Sequence, residues 1–158
     1  MTSREKQDFT LRISQANPTE MVVVLYDMLL CYLRDGESAL EQKDEEELRA
    51  AVRRAQGCLG ELMNSLNMKY DPAPALRKLY GYCIRELAAA EAGRKARPLQ
   101  EIRRIITSLR DAYGQIAGRN SAGAVMRNAQ TVYVGLTYGR HSLTENMADQ
   151  GANRGMYA

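Results

Sequence analysis

Between Pro18 and Ala117, apolar positions recur at helical spacing in four successive stretches, and the first is more apolar than a small helical core requires. Met21-Val22-Val23-Val24-Leu25-Tyr26, followed by Met28-Leu29-Leu30-Cys31-Tyr32-Leu33, puts hydrophobic side chains most of the way round a helix. A helix in a soluble bundle needs only one apolar stripe. The surplus surface must face a second neighbour, either more of this chain or a partner.

Punctuation between the stretches sets the expected boundaries. Asn17 can cap the first helix, Pro18 suits its first position and Glu20 can reach back to the cap. This helix is expected to reach about Lys43, with Gly36 a tolerated weak point. Asp44 caps the second, whose acids Glu45, Glu46 and Glu47 sit at the positive helix end. Leu48, Val52, Ala55, Leu59, Leu62 and Leu66 form its stripe, widened by Ala51, Cys58 and Met63, as far as Tyr70. Asp71-Pro72-Ala73-Pro74 reads as a turn and a fresh start. The third helix carries Leu76, Leu79, Tyr80, Cys83, Ile84 and Leu87 and ends near Gly93. Pro98 is expected to open the fourth, with Leu99, Ile102, Ile105, Ile106, Leu109, Tyr113 and Ile116, and Gly118 to close it.

Long helices with short connections make sequential neighbours antiparallel. The pattern therefore predicts an all-α fold: an antiparallel up-down four-helix bundle over residues 18–117. A polar segment, expected to be mobile, occupies residues 1–17. Seven of the 12 glycines fall in residues 114–158, so residues 118–158 read as a Gly-rich extension. Within it, Thr131 to Tyr138 has a strand-like content of β-branched and aromatic residues.

Composition narrows the function. The chain has 22 basic and 19 acidic residues, a net charge of +3, which is too mild a balance to imply nucleic acid. The pairs Arg53-Arg54 and Arg103-Arg104 read as solvated faces beside apolar stripes. MTSREKQDF has no apolar signal region. The apolar run around Val23 is only about a dozen residues, short of a bilayer span, so no stable membrane insertion is expected. Cys31, Cys58 and Cys83 are far apart and lie in apolar patterns, as reduced core thiols of a cytoplasmic protein would.

Chemistry finds little support. A carboxylate-bridged metal bundle needs Glu-x-x-His pairs, yet the one histidine, His141, has no Glu three residues before it. No Cys-x-x-Cys, phosphate loop or dinucleotide fingerprint is present. A catalytic thiol would need a base that the helices do not supply. The chain is expected to be no enzyme, with no catalytic residues, cofactor or metal. Binding fits better: Met21, Met28, Met63 and Met68 are flexible apolar side chains suited to accepting a partner helix, or else core filler.

The segment ISQANPTEMVVVLYDMLLCYL resembles the opening of the flagellin-specific export chaperone family, FliS, through Ile13, Ala16, Pro18, Met21 and Leu25-Tyr26-Asp27. The second helix is similar to the family pattern at Ala55, Gln56, Leu59, Glu61, Leu62, Met63, Ser65, Leu66, Asn67 and Tyr70, and the third at Leu79, Tyr80, Tyr82, Leu87 and Ala90. At Leu109-Arg110-Asp111-Ala112-Tyr113, Tyr113 stands where members often have Trp. Two departures are visible. Phe9 occupies the region where members carry an N-terminal Tyr, and the chain continues well past the fourth helix.

The resemblance implies a cytoplasmic chaperone that binds the disordered C-terminal segment of flagellin, blocks premature polymerisation and aids delivery to the flagellar type III export apparatus. Ile13, Pro18, Met21, Leu25, Tyr26, Asp27 and Met28 are the expected groove residues, some of which could instead lie inside the bundle. Phe9 and Leu11, with Ile13, are expected to cap the groove until flagellin arrives. The export gate and other flagellar regulators are further partners that it implies. Two readings stay open beside it: a helical adaptor sequestering a folded regulatory protein, and, for residues 118–158, a docking segment, a self-ligand or a plain extension.

Overall fold

A computed structural model describes residues 1–121. It is all-helical over this range, with five helices and no strand among the described residues: α1 (Ser3–Gln15), α2 (Pro18–Gln42), α3 (Glu45–Ser65), α4 (Ala73–Gly93) and α5 (Ala96–Ser121). The strand-like run Thr131–Tyr138 and the rest of residues 122–158 lie outside the described residues.

α2 forms as its caps dictate. The Glu20 amide donates to Asn17 Oδ1 at 2.9 Å, and the Asn17 amide donates to Glu20 Oε2 at 3.0 Å. Two N–H groups that the helix cannot satisfy itself are thereby paired. α2 stops at Lys43, which takes a left-handed conformation (φ 56°). Asp44 then caps α3 by accepting from the Glu47 amide at 3.0 Å.

Three boundaries differ from the sequence reading. α3 ends at Ser65, short of Tyr70, because Leu66 is extended and Asn67 Oδ1 accepts from the Lys69 amide, closing a local turn that competes with the helix. α5 opens at Ala96 and not at Pro98, since a proline in the first turn loses no helical hydrogen bond there. It also continues through Gly118 to Ser121; one glycine costs about 1 kcal/mol in a helix and need not end it.

The largest difference is α1. Residues 1–17, expected as a mobile segment, contain a 13-residue helix. Thr2 and Glu5 form a reciprocal capping box, with the Thr2 amide donating to Glu5 Oε2 at 2.6 Å and the Glu5 amide donating to Thr2 Oγ1 at 3.2 Å. Apart from that start signal, the helix has little apolar stripe to advertise it, and Phe9 is its one buried residue.

Packing runs α2 against α3 and α5, and α4 against α3 and α5, while α1 lies on α2. The core collects Val22, Tyr26, Leu29 and Leu33 from α2, Val52, Leu59 and Leu62 from α3, Tyr80, Cys83 and Leu87 from α4, and Leu99, Ile102 and Ile106 from α5. Gly36 is buried where three helices converge. A Cβ there would lie 3.5 Å from Leu99, 3.7 Å from Ala51 and 3.9 Å from Leu48.

Candidate partner-binding site

Part of the surplus apolar surface of α2 faces α1, another part of the same chain. Val24, Asp27, Cys31 and Arg34 recur at spacings of three and four, on one line of α2. Val24 is buried on this line, and polar groups beside it anchor α1. Arg12 donates to Asp27 at 2.6 Å, and Arg34 donates to Glu5 at 2.8 Å. The Met1 amino group reaches the Asp35 carboxylate.

Asp27 is also bound from the other side. Arg110 of α5 donates to its second carboxylate oxygen at 2.8 Å. One carboxylate therefore ties α1, α2 and α5 together. Each oxygen takes a charge-assisted bond, the stronger class of hydrogen bond. Asp27 holds the Arg110 guanidinium further above its usual range, first through the hydrogen bond and then through its charge.

Apolar attachment of α1 is slight by comparison. Phe9 is buried, with the Arg12 guanidinium 5.5 Å from its ring centroid. Burying one such side chain is worth about 1.5–3 kcal/mol, and partly exposed ion pairs add about 0–1 kcal/mol each. These terms must also order a 13-residue helix. α1 is accordingly the least firmly held of the five helices.

A second line on α2 carries Met21, Leu25, Met28 and Tyr32, spaced four, three and four residues apart. All four are half-buried. Leu25, Met28 and Tyr32 pack against the core edge, as do Met63 of α3 and Leu66 just beyond it. An apolar strip thus remains open to solvent beside the line to which α1 attaches. A cleft of about 720 Å³ opens on the other flank, between Arg12 and Gln15 of α1 with Ala16 just after it, Glu20, Val23 and Val24 of α2, and Arg110 to Ala117 of α5.

The expected site residues divide accordingly. Met21, Leu25 and Met28 line the open strip, and Pro18 is half-buried at the start of α2. Asp27 is engaged by two arginines. Tyr26 is at 0% exposure, and its hydroxyl is hydrogen-bonded to that of Tyr80. It belongs to the core in this conformation, as an aromatic on the inward face of a bundle helix should. Of the three expected capping residues, Phe9 packs inward, whereas Leu11 and Ile13 are exposed on α1. Arg12 and Arg110 escaped the sequence reading. A lone Arg on a polar helix carries no signal until the fold places it beside Asp27.

The thiols also separate. Cys58 and Cys83 are buried, and burial pushes each up to about 11. Cys31 is only half-buried; partial burial raises its thiol, and Glu5 and Arg34 are among the charges that act on it. No helix among the described residues is long and apolar enough to cross a membrane.

Comparison with known proteins agrees with the resemblance carried by the helices. Over 103 residues the chain is 28% identical to the flagellar secretion chaperone FliS of Bacillus subtilis (strain 168), which covers 65% of this chain and 77% of that protein. The family described as flagellar protein FliS matches residues 1–120, from the first residues of the chain through α1 and the core to the end of α5, and the chain belongs to that family.

Proposed function

We propose that this chain is a cytoplasmic flagellar export chaperone. It binds the disordered C-terminal segment of flagellin, keeps that segment from pairing prematurely, and releases it to the export apparatus. It acts as a binding protein and not as an enzyme. Family membership and the name of the Bacillus subtilis relative support the chaperone role.

The observation that carries the cargo reading is how α1 sits on α2: one buried apolar side chain and a set of ion pairs over a helix that is apolar on nearly every face. A cover of this kind protects α2 and yet can be exchanged for an amphipathic segment that buries more apolar area. In this reading Met21, Leu25 and Met28 receive cargo directly. Pro18 fixes the start of the strip, and Tyr26 supports it from below. Displacement of α1, carrying Phe9, Leu11 and Ile13, frees Asp27 from Arg12. Ordering the cargo segment costs several kcal/mol, which keeps net affinity moderate and cargo removable.

The scaffold for this exchange is an antiparallel up-down four-helix bundle of α2–α5. The pairings support it. Gly36 late in α2 meets Leu48 and Ala51 early in α3, Arg49 early in α3 reaches Glu91 late in α4 at 3.3 Å, and Asp27 early in α2 meets Arg110 late in α5.

Calorimetry against a synthetic peptide covering the flagellin C-terminal segment tests the proposal. Saturable binding with a negative heat-capacity change is expected, lost on Leu25→Asp with Met28→Asp and tightened by removal of residues 1–16. No binding by either the full or the shortened chain would sink it. Unchanged affinity on removing residues 1–16 would sink the role given to α1.

A further inference from the structure

Charge is segregated along the chain in a way that the net value hides. Residues 1–72 hold nine Lys and Arg against thirteen Asp and Glu, a net of −4. Residues 73–121, which make α4 and α5, hold ten against four, a net of +6. These two helices pack on each other, and α4 lies diagonally across the core from α2, meeting it through inward side chains such as Tyr26 and Tyr80. The basic surface of α4 therefore lies across the molecule from α2.

Several of these cations are uncompensated. Arg94, Arg97, Arg103 and Arg110 have carboxylate partners. Lys78 and Arg85 of α4 and Arg104 of α5 are exposed, and none has a carboxylate within ion-pair reach among the described residues. Helical spacing sets Lys78 and Arg85 on either side of Tyr82, on the outward face of α4. Tyr82 is 38% exposed, one of five large apolar or aromatic side chains left that open among the described residues. α4 packs on α5, and Arg104 is exposed one helical turn after Glu101, which acts electrostatically on Tyr82 as Glu86 does.

We infer that this outer face of α4 and α5, with Tyr82 among Lys78, Arg85 and Arg104, docks an acidic segment of a partner protein while α2 holds its cargo. Tyr and Arg are the residues that most often carry interface affinity, and unpaired surface cations accelerate encounter with an acidic partner. A nucleic acid fits less well. Nucleic-acid grooves interleave several aromatics with cations along a track, whereas here there is one aromatic with two carboxylates beside it.

Fluorescence anisotropy of the full chain with labelled poly-L-glutamate is the test. The triple change Lys78→Glu, Arg85→Glu, Arg104→Glu should weaken binding tenfold or more, a loss of about 1.4 kcal/mol. Tyr82→Ala should weaken it several-fold, and reversal of Lys43, Arg53 and Lys69 on the other half should leave it nearly unchanged. The triple Gln version gives the same readout if the Glu version fails to fold. Equal loss from both triple reversals, with no effect of Tyr82→Ala, would reduce the face to diffuse charge and overturn the inference. Tighter binding of polyuridylate through the same residues would make it a nucleic-acid surface instead. Self-association abolished by the triple change would assign it to a second copy of the chain. Binding of the flagellin peptide by the same variants is read separately and should not change.

Discussion

The hydroxyl of Tyr26 on α2 is hydrogen-bonded to the hydroxyl of Tyr80 on α4, inside a core where both side chains are essentially inaccessible. The Tyr26 ring also packs 5.7 Å from that of Tyr113 on α5, tilted by 58°. Three helices thus meet through phenols at the end of the molecule where the cargo strip begins. Removing one hydroxyl leaves the other buried without this partner. Tyr80→Phe should cost about 1–3 kcal/mol in urea unfolding. The double change Tyr26→Phe, Tyr80→Phe should cost less than the sum of the single changes, because it leaves no orphan from this pair. Additive losses would mean that the pair contributes through packing alone.

The same phenols give an alkaline signature. Burial pushes both well above their ordinary 10.0, and each also feels the other. A raised folded value favours the neutral form, so this contribution is complete below about pH 10 and is lost as pH rises toward the folded values. Spectroscopic titration should show exposed Tyr82 ionising first, with Tyr26 and Tyr80 following only as the chain unfolds. Early ionisation of all the tyrosines together would contradict the burial.

Gly36 separates space from strain. It lies within α2, so alanine should gain up to about 1 kcal/mol of helix propensity. The new methyl group would meet Leu99, Ala51 and Leu48 at ordinary contact distances of 3.5–3.9 Å. Gly36→Leu has no such room and should lose about 1–3 kcal/mol through overpacking. Thermal unfolding of both variants checks the pair of signs. A destabilised Gly36→Ala would show that α2, α3 and α5 pack too closely at this point to admit even one methyl group.

Most of the fold was legible because α2 to α5 announce themselves twice, by apolar period and by end signals. Asn17, Pro18 and Glu20 fixed one boundary to the residue, and the stripe from Leu48 to Leu62 is buried throughout. α1 was illegible for the opposite reason. It has the capping box, but its single buried Phe9 makes no period. The site was legible only in outline. The apolar surplus on α2 drew attention to that helix, yet sequence spacing could not say that Tyr26 turns inward or that Asp27 would meet Arg12 and Arg110 from two other helices. Charge segregation was hidden by the near-cancellation of the two halves.

Cys31 is a built-in reporter of α1. It is half-buried on the line of α2 to which α1 attaches, whereas Cys58 and Cys83 lie in the core. Thiol modification by a disulfide reagent at neutral pH should therefore proceed at one site first. Asp27→Asn, which removes the charge shared by Arg12 and Arg110, should accelerate that site several-fold without exposing the other two. Phe9→Ala should act in the same direction. If all three thiols accelerate together, the substitution has loosened the whole core and α1 is not a separable cover.

Glu5 makes the attachment of α1 sensitive to acid. Its carboxyl is held down from its ordinary 4.5 to about 2, first by the Thr2 amide and then by Arg34 and the Thr2 side chain. A lowered folded value favours the ionised form, so the contribution is complete above about pH 4.5 and disappears as pH falls through about 2. Glu5 serves both the cap of α1 and the bridge to Arg34, so protonation weakens helix start and docking together. Amide exchange should show α1 losing protection across this window before α2 to α5 do. Glu5→Gln, which cannot ionise, should bring the loosened α1 to neutral pH. High salt should loosen α1 further in the parent chain than in this variant, because it screens the Glu5–Arg34 pair that the variant lacks. Simultaneous loss of protection in α1 and the core would show that α1 unfolds only with the whole molecule, and its role as an exchangeable cover would not stand.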